Sequence, residues 1–134
     1  MLAIAYDLIY EKVFLIILPI IAISLELLPS GTVLIFAPSA TDRIIETFSY
    51  FSLVPFGYAN FGPFITAIIT CVVLLLAIVS LIKKDINKYL FLSSLIGILF
   101  SLLPLMYGVD YITYIGIAIT LLLTIECAIS RSLL

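Results

Sequence analysis

Residues 63–82, with the sequence PFITAIITCVVLLLAIVSLI, decide the fold of this chain. The stretch carries no charge, and about 20 apolar residues in a helix are enough to cross the roughly 30 Å hydrocarbon core of a bilayer. Apolar runs such as Cys71–Val79 do not alternate with polar residues, which favours helices over the strands of a membrane barrel. Three further stretches share this character, at residues 12–29, 89–107 and 111–130. The sequence therefore predicts an all-α membrane protein, a four-transmembrane-helix bundle that forms a single domain over residues 1–134.

The composition points to the same class. Of the 134 residues, 65% are hydrophobic and 10% are charged, and the mean hydropathy is +1.40. An ordinary globular domain has roughly 45–50% apolar and about 25% charged residues. A small soluble domain has too much surface for its volume to hide such an excess of apolar side chains. We therefore expect the chain to be surrounded by lipid.

Several kinds of chemistry lack the residues that they need. The chain has no histidine, and its two cysteines lie in separate apolar runs without a C-x-x-C motif, so metal and redox chemistry have no support. The sequence offers no nucleophile beside a base, no acid pair and no glycine-rich phosphate loop. A net charge of −2 argues against a nucleic-acid partner. We therefore expect a protein that is not an enzyme and that uses no cofactor.

Positive charge is concentrated at one end of the predicted bundle. With four spans, five cations fall on one side, and only Arg43 falls on the other. Cationic loops remain in the cytoplasm, so both termini are predicted to be cytoplasmic and the loop of residues 30–62 to lie outside the plasma membrane. The cations on the cytoplasmic side are Lys12, Lys83, Lys84, Lys88 and Arg131.

The first ten residues are themselves apolar, and Leu2, Tyr6 and Ile9 recur at helical spacing. This pattern fits a helix that lies on the cytoplasmic surface, and it fits equally an upstream extension of the first span. Asp7 and Glu11 leave the region without a net positive charge, which is typical of a retained membrane anchor rather than of a cleaved signal peptide.

Two acidic residues fall inside predicted spans, where an ionisable group is a functional candidate by default. Glu26 precedes Pro29 by three residues and is expected ~5 Å below the outer end of its helix, whereas Glu126 is expected near the inner end of the last helix. About 20 Å would then separate them along the bilayer normal, too far for a carboxylate pair.

Each acid has a structural and a functional interpretation. In the structural one, Glu26 reaches the outer interface, and Glu126 reaches the inner interface, Arg131 or a lysine of residues 83–88. In the functional one, the acids handle protons or cations, and Glu126 is then the stronger candidate because it is more deeply enclosed in apolar sequence.

The loop of residues 30–62 is too long for a simple turn. Thr41 followed by Asp42 is typical of a helix start, and Ile44, Ile45 and Phe48 follow at near-helical spacing. The pattern predicts a short amphipathic helix at the outer interface.

The next segment, residues 49–64, reads SYFSLVPFGYANFGPF and is rich in aromatic side chains. Aromatic residues collect at the membrane–water boundary, so one interpretation is an interface anchor. The alternative is a docking surface for a partner or an apolar ligand, because the glycines and prolines of this segment would fix a particular backbone shape. The candidate partner surface consists of Tyr50, Phe51, Phe56, Tyr58, Asn60 and Phe61.

This segment and the following ITAIIT (residues 65–70) resemble small uncharacterised four-helix membrane proteins of bacteria. The resemblance covers about residues 49–70 and the four-span layout. It implies a bacterial membrane protein and carries no activity that could be transferred.

Two functions follow as hypotheses. The first is a non-enzymatic membrane protein that acts by contact, as an accessory, subunit or regulator of a membrane complex. The alternative is a small oligomeric transporter or proton-coupled exporter that uses Glu126. Its copies would associate through small residues spaced four apart, which allow close helix contact. The expected partners are the lipid bilayer and either another membrane protein or a second copy. The small-residue stripes are Gly62–Thr66–Thr70, Ser93–Gly97–Ser101 and Gly116–Thr120–Thr124.

Overall fold

A computed structural model describes residues 2–134 of the chain. It is mostly helical, and four of its helices are long and apolar enough to cross a membrane, which confirms the prediction of a helical membrane protein. Helical turns at Lys84–Ile86 and Leu103–Tyr107 extend the third long helix at both ends. The helices are α1 (Leu2–Glu26), α2 (Val54–Gly57), α3 (Gly62–Val79), α4 (Asn87–Ser101) and α5 (Tyr114–Ser132).

The N-terminal residues extend α1 upstream rather than forming a separate surface helix. α1 runs without a break from Leu2 to Glu26, and residues 2–10 are exposed. Pro19 lies inside the helix and is buried. Proline is tolerated within membrane helices because neighbouring groups can satisfy the backbone positions that it frees.

The four long helices form a closed ring. α1 packs against α3 and α5, and α4 packs against the same two helices, so the order around the bundle is α1–α3–α4–α5. We call the end that carries residues 27–61 the outer end and the opposite one the inner end. The inner half of the core packs around Leu15, Val73, Ala77 and Leu90, and the outer half around Tyr50, Ala67, Ile119 and Leu123.

Glycines allow the closest helix contacts. A Cβ atom on Gly62 would lie 2.7 Å from the carbonyl oxygen of Phe100, and one on Gly97 would lie 3.2 Å from the side chain of Ile69. In a membrane, where lipid is as apolar as the helix surface, such close packing is a main source of helix association.

The small-residue stripes of the sequence differ in their burial. Gly62, Thr66 and Thr70 are all buried and form the inward face of α3. In α5 the stripe is only half-buried and Thr124 is exposed, because α5 turns Ile119, Leu123 and Glu126 inward instead. The stripe of α5 therefore does not form the core face of its helix.

The prediction of an interfacial helix that starts at Thr41 is wrong. Residues on both sides of Thr41 instead form an antiparallel hairpin of β1 (Thr32–Phe36) and β2 (Ile44–Phe48), with Thr32 opposite Phe48. The β-branched residues of β2 favour a strand, and pairing with β1 satisfies backbone groups that a single amphipathic turn would leave to water. A single helical turn does form further along the chain, at α2.

Candidate functional site

Glu26 is the last residue of α1, and its side chain is 0% exposed. Its Oε1 accepts a hydrogen bond of 2.7 Å from the hydroxyl of Thr70 on α3, and its Oε2 has no hydrogen-bond partner among residues 2–134. The expectation that Glu26 reaches the outer interface is therefore wrong. The physical reason is its position one turn after the buried Ala22, on the face of α1 that points into the bundle.

Glu126 lies on the inward face of α5 and is 1% exposed. Neither of its carboxyl oxygens has a hydrogen-bond partner within residues 2–134. The expectation that it meets Arg131, a lysine or the inner interface is therefore wrong. Five residues advance a helix by about 140°, so Arg131 lies on a different face of α5 and is exposed.

Thr70, whose hydroxyl binds Glu26, lies at a level of the bundle close to that of Glu126. A Cβ on Gly97 would touch both Ile69 of α3 and Leu123 of α5, at 3.2 and 3.4 Å, so these two residues share a level in the bundle. Thr70 follows Ile69 by one residue, and Glu126 follows Leu123 by three. Thr70 is therefore within about one helical turn of the level of Glu126.

A buried carboxyl without a cationic partner is an unusual feature in a membrane helix. Transfer of an isolated ionised carboxylate into apolar surroundings is costly enough that the group normally takes up a proton or a cation. No group of three or more metal-ligating side chains occurs in the described part of the chain. The arrangement can therefore hold a proton or a single small cation at either acid.

Two of the six residues of the candidate partner surface are buried, which corrects their assignment to a surface. Tyr50 packs in the outer half of the core, and its backbone N–H donates a 3.0 Å hydrogen bond to the carbonyl of Glu26. Burial, together with the nearby Glu26 carboxyl, raises the pKa of Tyr50. Asn60 is also buried, because the chain turns inward there to begin α3, and its side-chain amide has no partner among the described residues. Phe51 is half-buried against the same core cluster as Tyr50.

The remaining three aromatic residues, Phe56, Tyr58 and Phe61, are exposed, and we call them the outer aromatic surface. The ring of Phe56 packs edge-on against that of Phe61, with centroids 4.9 Å apart. The ring of Tyr58 packs edge-on against Phe36 of the hairpin at 5.2 Å. The aromatic surface is therefore continuous with the end of β1.

The backbone beneath this surface is held in a defined shape. Ala59 has a φ of +66°, a left-handed conformation that costs roughly 1–2 kcal/mol for a residue with a side chain. Its carbonyl accepts a hydrogen bond of 2.6 Å from the hydroxyl of Tyr107, and the N–H of Asn60 donates one of 2.9 Å to the carbonyl of Pro55. The two hydrogen bonds fix the turn that carries Tyr58.

Sequence reasoning missed Thr70, Ala59 and Tyr107. Thr70 belongs to a small-residue stripe, so its inward position was signalled, but nothing in the sequence indicated Glu26 as its partner. Ala59 and Tyr107 are 48 residues apart, and no local pattern reports a contact of that range.

Four long apolar helices define the class of this protein as a multi-pass helical membrane protein. The chain matches no protein-family model, no curated protein and no solved structure.

Proposed function

We propose that this chain acts by contact, as an accessory subunit or regulator that docks another membrane protein onto its outer aromatic surface. The observation that carries the proposal is the exposure of Phe56, Tyr58 and Phe61 on a backbone held in a strained turn at Ala59. An interface anchor needs aromatic side chains only at the right depth. Strained backbone that the surrounding structure maintains is typical of functional surfaces.

Preorganisation gives this surface the properties of a binding site. Aromatic residues supply a large share of the energy in many interfaces, and holding them in place before association lowers the entropy lost on binding. The bond from Tyr107 to Ala59 ties the turn to the end of the third long helix, so the surface is connected to the bundle rather than to the hairpin alone.

The chemistry of the segment indicates the chemistry of the partner. Residues 49–64 contain no charged side chain. A partner recognised by strong electrostatics, such as a nucleic acid or an acidic peptide, would find no complementary group there. An apolar surface of a second membrane protein at the membrane boundary fits best.

We further propose that the chain lies in the plasma membrane of a bacterium with both termini in the cytoplasm. The bacterial source is what the resemblance of residues 49–70 implies. The distribution of cations supports the orientation, with Arg43 alone near the outer end and five cations toward the inner end.

Gentle purification of the full chain from native membranes, with quantitative mass spectrometry, tests the docking proposal. We expect one stoichiometric membrane partner with the wild type and at least a tenfold lower recovery with Phe56→Ala/Tyr58→Ala. Tyr114→Ala is the matched control, because Tyr114 is also an outer-end tyrosine and is 92% exposed, yet it lies outside the segment. Unchanged recovery with the double variant, or equal loss with the control, would contradict the proposal.

A second candidate function rests on Glu126. A buried carboxyl that has no hydrogen-bond partner within residues 2–134 is typical of proton- or ion-coupled membrane proteins. The candidate is a small oligomeric transporter or proton-coupled exporter in which Glu126 takes up and releases a proton or a cation. Four helices rarely enclose a pathway, so a second copy would complete it.

Proton flux into proteoliposomes separates this candidate from docking alone. The transporter predicts a flux that Glu126→Gln abolishes and that Glu46→Gln, on the exposed strand β2, leaves unchanged. Wild-type flux in the Glu126→Gln protein, or no flux in the wild type, would remove the transporter from consideration.

A further inference from the structure

A cleft between α1 and the turn after α3 combines two lysines with an apolar lining at the inner end of the bundle. Its volume is about 280 Å³. The lining consists of Leu8, Ile9, Lys12, Val13, Ser80, Leu81, Ile82 and Lys84. None of these residues belongs to the outer aromatic surface, and neither Glu26 nor Glu126 lines the cleft.

The two lysines give the cleft a local positive charge. The ammonium of Lys12 donates a hydrogen bond to the backbone carbonyl of Ser80, at the C-terminal end of α3, and this fixes its position. Lys84 lines the same cleft, so two cations face one site. Among the described residues, no carboxylate lines the cleft; the acids next to lining residues in the sequence, Asp7, Glu11 and Asp85, lie outside its lining.

The rest of the lining is hydrocarbon. Leu8, Ile9 and Val13 come from α1, and Leu81 and Ile82 come from the turn after α3. All five side chains are exposed in the bundle, so their apolar surface is available to a ligand. This combination is typical of the ends of membrane helices, where lysines reach toward water and their apolar neighbours remain in lipid.

We propose that this cleft binds one anionic phospholipid, with the phosphate of the headgroup between Lys12 and Lys84 and an acyl chain along the apolar lining. A free phosphate would satisfy the lysines but leave the apolar surface uncovered. A neutral lipid would cover that surface but would give the two cations of the cleft no counterion. An anionic amphiphile satisfies both parts, and basic pockets between membrane helices are known to take such headgroups.

Fluorescence quenching by brominated lipids tests the proposal on the full-length chain. The protein has no tryptophan, so Leu81→Trp places a unique fluorophore at an exposed position of the cleft. The reporter protein is reconstituted in phosphatidylcholine vesicles with increasing fractions of phosphatidylglycerol, and one or the other lipid is brominated. We expect quenching to show a preference of about tenfold for phosphatidylglycerol, since each lysine near a headgroup contributes a few-fold in affinity.

Two variants connect that preference to the cleft. Lys84→Gln should reduce it several-fold, and adding Lys12→Gln should bring the ratio close to one. Lys84 is exposed, so the single variant keeps the test valid if loss of the Lys12 bond impairs folding. Lys88→Gln is the matched control, because Lys88 lies at the same end of the bundle but outside this cleft.

Three outcomes would overturn the proposal. Equal quenching by both lipids would show that the cleft has no headgroup preference. An equal effect of Lys88→Gln and Lys84→Gln would show a general surface attraction rather than a site. Displacement of phosphatidylglycerol by millimolar inorganic phosphate would show an anion site that does not require a lipid.

Discussion

The carboxyl of Glu26 and the hydroxyl of Thr70 form a buried hydrogen bond of 2.7 Å between α1 and α3. The same hydroxyl lies 2.8 Å from the carbonyl of Thr66, so Thr70 interacts with both its own helix and the neighbouring one. Side-chain hydrogen bonds between membrane helices contribute about 0.6 kcal/mol on average. This bond also provides the one partner that the Glu26 carboxyl has within residues 2–134.

Removing that hydroxyl should destabilise the bundle. We expect Thr70→Val to lower the free energy of unfolding by about 1 kcal/mol more than Thr66→Val, because it leaves the buried Glu26 carboxyl without a donor. Thr66 is the matched control: it is equally buried, and among residues 2–134 its hydroxyl bonds only to the backbone of its own helix, at Gly62. Unfolding in mild detergent measures both variants, and equal losses would contradict the interpretation.

Replacing Glu126 with an apolar residue should have the opposite effect. Because neither carboxyl oxygen has a partner among the described residues, Glu126→Leu should raise the free energy of unfolding by ~1 kcal/mol or more. Glu26→Leu should give a smaller gain, since it also removes the bond to Thr70. A large loss of stability in Glu126→Leu would mean that the carboxyl contributes favourably to the folded bundle.

The contact of α3 with α4 should be sensitive to a single methyl group. Gly62→Ala would bring a Cβ to 2.7 Å from a backbone carbonyl, which cannot move aside, so we expect a loss of roughly 1–3 kcal/mol in the free energy of unfolding. A Cβ on Gly57 would meet no packed neighbour within 4 Å in the described part of the chain, so Gly57→Ala should change stability by less than about 0.5 kcal/mol. Thermal unfolding of the two variants side by side checks this difference.

Tyr50 should make the folded protein sensitive to alkaline pH. Its raised pKa means that the unfolded chain loses the phenolic proton first, at the ordinary value of about 10, while the folded chain still retains it. The contribution of the Tyr50 phenol to the free energy of unfolding is therefore complete below that pH and declines above it, by up to ~1.4 kcal/mol per pH unit. Tyr50→Phe should flatten this decline, and Tyr114→Phe should not; the same alkaline decline in all three proteins would rule out the effect.

The strained turn at Ala59 gives a prediction that separates stability from docking. Ala59→Gly should raise the free energy of unfolding by about 0.5–1 kcal/mol, because glycine adopts a positive φ without steric cost. Tyr107→Phe removes the bond to the Ala59 carbonyl and should reduce partner recovery several-fold while the bundle stays folded. Full recovery of the partner with Tyr107→Phe would show that this hydrogen bond does not prepare the surface.

Hydropathy was sufficient to find the four long helices, because a spanning helix is distinguished from a loop by continuous apolar sequence. Hydropathy did not locate the ends of these helices. The first span was predicted to start near Lys12, whereas α1 begins at Leu2, since the apolar residues before Lys12 continue the helix without a break.

The burial of the two acids could not be predicted from composition. In a membrane, the face of a helix that meets lipid and the face that meets other helices are both apolar, so hydropathy does not separate them. Which face Glu26 and Glu126 occupy depends on the rotation of α1 and α5 within the ring. The rotation is set by close contacts such as that at Gly97, which involve three different helices.

The hairpin was missed for a different reason. Ile44, Ile45 and Phe48 fit a helical period, and the same residues also fit a strand, so a short apolar run does not decide between the two. The seven residues between β1 and β2 contain no tight two-residue turn signal that would have indicated pairing. The inward position of Tyr50 follows in part from the hairpin, because β2 ends just before it.

Recovery of a membrane partner from native membranes, compared between Phe56→Ala/Tyr58→Ala and Tyr114→Ala, tests docking through the outer aromatic surface most directly. All proteins would be purified at matched expression after confirmation that each is folded. Docking predicts one stoichiometric partner with the wild type and with Tyr114→Ala, and at least a tenfold loss with the double variant. The same partner at the same stoichiometry in all three proteins would contradict it.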